Sequence, residues 1–108
     1  MGVEALIDVF LESVAILADL ELEQAEQTPL GVRESLQIYS YKVSAADTIA
    51  KAIRRSPEDP MIAIETEIDC AQVMCDLPFI SSYDSLFECY RDTALLARSV
   101  AKDFFEYA

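Results

Sequence analysis

Apolar residues recur at three- and four-residue steps along most of the chain, the spacing of a helix stripe turned toward a core. Val3, Leu6, Ile7, Phe10, Val14, Leu17 and Ala18 keep this spacing and predict a first helix over about residues 3–27. The break "QTPLG" follows, with Thr28 as N-cap and Pro29 at the first helical position. A second helix is expected over about 29–54, with Val32, Leu36, Tyr39, Val43, Ala46, Ala50 and Ile53 as its inner face. "RRSPEDP" ends it, and Ser56 with Pro57 behind it predicts a third helix over 57–76. After "DLPFISS", Ser81 or Ser82 caps a fourth helix over 82–107. Long helices joined by short breaks lie antiparallel, so the pattern predicts an all-α fold, an antiparallel four-helix bundle forming a single domain over 1–108.

The third helix departs from a one-sided pattern. Glu65, Asp69, Gln72 and Asp76 form one narrow polar stripe. Met61, Ile64, Ile68, Ala71 and Cys75 lie to one side of it, while Ile62, Cys70, Val73, Met74 and Leu77 cover the remainder. This helix is expected either to be packed centrally or to offer its second apolar face to another copy or a partner. Glu67 sits among the apolar residues and is expected to be a rim residue or to pair with Arg91, Arg98 or Lys102 of the fourth helix, with a functional carboxylate as the lesser alternative.

Composition agrees with helices: the 108 residues include 2 Gly and 4 Pro, too few for a many-turned β-fold. Hydrophobic residues make up 53% of the chain, which supports a packed core despite a net charge of -12. Cys70, Cys75 and Cys89 are odd in number, match no CxxC spacing and fall in apolar patterns, so they read as reduced core thiols of a cytoplasmic protein. Acids stand where a secretory leader would carry Lys or Arg, and no charge-free run of membrane-spanning length occurs.

The charge is unevenly spread. Residues 1–32 carry -7, residues 33–55 carry +3, residues 56–90 carry -8, and residues 91–108 balance. On the first helix Glu4, Asp8, Glu12, Asp19, Glu23 and Glu26 follow one another at steps that keep all six within about 100° of one side. Such a ribbon does not stabilise its own helix, because like charges four residues apart repel and no Lys is interleaved. It therefore reads either as a solvated face or as a docking face for a basic protein surface, in the narrow case a mimic of nucleic-acid phosphates. Direct binding of nucleic acid or an anionic membrane is disfavoured by the same charge.

Candidate chemistry is sparse. The chain contains no His, which removes the commonest general base, the His-dependent triads and the His–Cys zinc sites. Gly2 and Gly31 stand alone, so no glycine-rich phosphate loop exists. Glu23 and Glu26 form one Glu-x-x-Glu, half of what a magnesium-dependent all-helical nucleotide pyrophosphohydrolase uses, and no Glu-x-x-Asp follows on a later helix. Lys51, Arg54 and Arg55 suit the C-terminal end of the second helix. Phe104, Phe105 and Tyr107 read as core and helix-end packing.

The expectation is a small acidic, non-enzymatic protein-binding module without metal or cofactor. By analogy of class, it would be a stoichiometric inhibitor of the immunity-protein or phage anti-defence (anti-CRISPR) type. Glu4, Asp8, Glu12, Asp19, Glu23 and Glu26, joined by Glu65, Asp69 and Asp76, would meet a basic target protein. The alternatives are an adaptor that pairs with itself as a homodimer through Ile62, Cys70, Val73, Met74 and Leu77, and more weakly the hydrolase.

Overall fold

A computed structural model describes residues 2–25, 32–77 and 84–107. Among them lie α1 (Val3–Ala25), α2 (Val32–Arg55), α3 (Pro60–Asp76) and α4 (Asp84–Tyr107). The fold is the all-α, antiparallel four-helix bundle that the apolar spacing predicts. The expected caps Thr28, Ser81 and Ser82 lie outside the described residues.

The start of α3 differs from the sequence reading. Asp59, not Ser56, is its N-cap: the Asp59 carboxylate accepts the Ile62 amide at 3.4 Å, and Pro60 takes the first helical position. The Ser56 amide instead donates to the Ile53 carbonyl at 3.1 Å, closing the end of α2, and the Asp59 amide donates to Ser56 at 3.1 Å. Residues 56–59 are thus spent on a tight connection, and the second proline of "SPEDP" opens the helix because its missing N–H costs nothing there. At the far end Leu77 turns extended at φ -75° and ψ 122°, as a residue preceding proline prefers.

The antiparallel order is fixed by cross-helix contacts. Lys42 meets Glu21 while Arg54 meets Glu4, so α2 runs back along α1. Arg98 meets Glu65 while Tyr90 meets Glu67, so α4 runs back along α3. α2 and α4 also pack closely on each other, whereas α1 and α3 barely touch. The cross-section is therefore a rhombus with α2 and α4 on the short diagonal and α1 and α3 at the outer corners. The molecule measures 44 × 32 × 19 Å, and its thin dimension is about two helix diameters.

The two helices on the short diagonal bury mostly alanine. α2 buries Ala45, Ala46, Ala50 and Ala52, and α4 buries Ala94, Ala97 and Ala101. Side chains of one carbon let two helix backbones approach closely. The bulky residues are Leu6, Ile7, Phe10 and Val14 of α1 and Ile64 and Ile68 of α3 at the outer corners, together with Ile49 and Ile53 of α2. Thr93 is the buried polar side chain among the described residues, and its hydroxyl donates to the Cys89 carbonyl at 2.7 Å.

Several expected core positions are corrected. Leu36 and Val43 are about half exposed, because the alanine face of α2 turns inward and rotates them out. Leu17 is exposed beside a shallow cleft between α1, α2 and α4. Phe104 packs on the core, but Phe105 meets it edge-on at 5.4 Å and faces solvent. α3 is an outer helix, not a central one, so Cys70 is exposed and Cys75 half-buried; Cys89 alone of the three is buried.

Phe10 is fully buried at the meeting of the flanking residues. Phe10→Ala should lower the unfolding free energy by about 3–5 kcal/mol in urea denaturation followed by circular dichroism. Val43→Ser should change it by no more than about 0.5 kcal/mol. A large loss at Val43 would contradict the rotated face of α2.

Candidate functional site

The acids of α1 lie on one exposed side, as their spacing requires. α2 answers part of their charge. The Arg54 guanidinium donates to Glu4 at 3.0 Å, and Lys42 holds Glu21 at 2.5 Å. The charge of the Asp19 carboxylate beside Tyr39 raises that phenol above its ordinary value of 10.0. Ion pairs this exposed are worth about 0–1 kcal/mol each, so they trim the ribbon without neutralising it. Asp8, Glu12 and Glu23 are exposed and make no ion pair among the described residues. Glu26 lies outside the described residues.

A second stripe runs beside the acids. Val9, Ile16 and Leu20 are 43%, 53% and 48% exposed, with no helix of the bundle laid over them. The outer side of α1 therefore joins a row of carboxylates to a row of apolar side chains. The spacing of the sequence places the acids and leaves these three apolar residues out of the core stripe, but it does not single them out as a surface of their own.

The outer side of α3 carries the other expected residues. Glu65 is tied to Arg98 at 3.6 Å, and Gln72 donates to Asp76 at 3.1 Å. Asp69 is exposed and has no ion pair among the described residues. Of the set proposed for self-association, Ile62 and Val73 are 63% and 60% exposed, Cys70 is exposed, and Met74 and Leu77 are half-buried. Cys70 and Met74 line a groove of about 200 Å³ between α3 and α4, completed by Glu67, Ala71, Phe87 and Tyr90.

Glu67 does not pair with Arg91, Arg98 or Lys102. The Tyr90 hydroxyl donates to it across the α3–α4 seam in a short hydrogen bond. Arg98 is drawn to Glu65, and Arg91 stays with Asp92 on its own helix at 3.7 Å. Burial, and then the bond to Glu67, push the Tyr90 phenol far above 10.0. Sequence reasoning missed Tyr90 and Phe87 as groove residues, because nothing local says which α4 turn meets Glu67.

Among the described residues no group of three or more His, Cys, Asp or Glu is placed to hold a metal ion. Every buried side-chain nitrogen or oxygen described has a hydrogen-bond partner. The cleft between α1, α2 and α4, about 210 Å³, contains the Glu21–Lys42 pair, so its cation is already engaged. No described helix is long and apolar enough to cross a membrane. No protein-family model, curated protein or solved structure matches the chain.

Two outcomes follow from this geometry. The folded state holds the Tyr90 proton more tightly than the unfolded chain does, so this contribution to stability is complete below pH 10.0 and is lost as pH rises above it. Tyr90→Phe should flatten that alkaline loss and cost about 1 kcal/mol at neutral pH, both read from denaturation curves at several pH values. Thiol labelling of the folded protein should modify Cys70 first and Cys89 last, since burial shields Cys89 and raises its thiol. Equal labelling rates would contradict the outer placement of α3.

Proposed function

We propose that this chain is a non-catalytic binding protein of the cytoplasm. It docks the acidic side of α1 onto a basic surface of a target protein and acts as a stoichiometric inhibitor of that surface. The observation carrying this reading is the set of exposed carboxylates Asp8, Glu12 and Glu23, without an ion pair among the described residues, beside the exposed Val9, Ile16 and Leu20. Carboxylates steer a cationic partner and fix its orientation, and apolar contacts next to them supply affinity that outlasts the encounter. Glu4, held by Arg54 of α2, would act as the fixed N-terminal end of the row. Glu65, Asp69 and Asp76, on the far corner of the bundle, extend the negative field that brings the target in.

A second reading rests on a different observation. Ile62 and Val73 are the most exposed large apolar residues described, and with Cys70, Met74 and Leu77 they would let α3 pair with another copy.

Immobilised protein challenged with lysate of its native host at low salt separates the two. The wild type should retain one basic-surfaced protein at one-to-one stoichiometry and release it in a moderate salt gradient. A variant combining Asp8→Lys, Glu12→Lys and Glu23→Lys should lose it, whereas Ile62→Ser with Val73→Ser should not. Full-strength retention by the lysine variant would refute the acidic docking face.

A further inference from the structure

Resting on the acidic docking reading, we infer that the element of the target seated on α1 is itself an α-helix, apolar along one seam and edged with Lys or Arg. Val9, Ser13, Ile16 and Leu20 follow one another at steps of four, three and four residues, the spacing of the contact seam in a coiled coil. This seam is distinct from the stripe that α1 gives to its own core, where Leu6, Ile7, Phe10, Val14 and Ala18 are buried. Its three large members are each about half exposed, so no part of the described bundle fills it. Ser13, the small member, spends its hydroxyl on the Val9 carbonyl at 2.8 Å and presents no unmet polar group to an incoming helix.

The edges of the seam choose the occupant. In the heptad register set by these four residues, one flanking row holds Glu12 and Asp19, both exposed. Residues in that row face the flank of a partner helix and decide which partner is accepted. α1 contains no Lys or Arg, so a second copy of this helix would bring no cation to Glu12 or Asp19. A chain of net charge -12 also repels its own copy. A target helix with Lys or Arg at its flanking positions satisfies both the apolar seam and its acidic edge. A basic loop or a flat basic sheet would meet the carboxylates but leave the 4-3-4 row of side chains unmatched.

Synthetic helices test this directly. One peptide of about four heptads carries Leu at the seam positions and Lys at the flanks, and a second has the same composition with the Leu residues scrambled out of register. Binding is read by NMR titration of the labelled protein. The in-register peptide should bind at least about tenfold more tightly than the scrambled one, with the largest shifts at Val9, Ser13, Ile16 and Leu20. Ile16→Ser with Leu20→Ser should abolish that advantage while leaving the melting temperature close to wild type, since both side chains face solvent. Glu12→Lys with Asp19→Lys should reject the lysine-edged peptide and accept one edged with glutamate. Equal binding of ordered and scrambled peptides, or failure of the charge exchange, overturns the helical seam. The acidic docking reading then stands or falls separately, on whether the lysine variant of α1 still retains the host partner.

Discussion

The close approach of α2 and α4 sets the shape of everything around it. Two helices that bury alanines where most bundles bury leucines can bring their axes together, and the square of a four-helix bundle collapses into a rhombus. Phe10, Leu6 and Ile7 from one corner and Ile64 from the other fill in around the alanines. The flattening also leaves α1 and α3 barely touching, each with an outer side that no other helix covers.

That arrangement explains why exposed apolar residues and uneven charge occur together. α1 and α3 hold most of the excess carboxylates, and α2 and α4 hold the cations that answer some of them. The answered acids, Glu4, Glu21 and Glu65, lie where a neighbouring helix passes. Asp8, Glu12, Glu23 and Asp69 have no such neighbour among the described residues, and they share their sides with Val9, Ile16, Val73 and Ile62. Charge and apolar surface are left over for the same geometrical reason: outer helices have more circumference than a rhombic bundle can bury.

The sequence was readable where bulky side chains marked a single face. The core stripe of α1 came out almost residue for residue, with Leu17 alone displaced, and the bundle followed from helix lengths and scarce Gly. The inner face of α2 is less legible: alanine carries a weak hydropathy signal, and the fully buried Ile49 falls outside the expected stripe. Leu36 and Val43 outweighed Ala45 and Ala52 on paper, although the small residues are the ones that permit close packing. The α3 start was misread because Ser56–Pro57 and Asp59–Pro60 are equally good opening pairs locally, and closure of α2 on Ser56 decides between them. The acidic row was legible as spacing. Its pairings, and the Tyr90–Glu67 bond, were not, since they depend on which turns of separate helices meet.

The scant contact between α1 and α3 also bears on how this protein tolerates sequence change. Energetic coupling between substitutions requires shared neighbours or a shared network, and the two outer sides have neither in common. A mutation at Ile16 and one at Val73 should therefore be felt independently, each surface free to drift toward new partners while the other keeps its own. The bundle offers two separately adjustable surfaces on one small core, and selection on one imposes no retuning of the other.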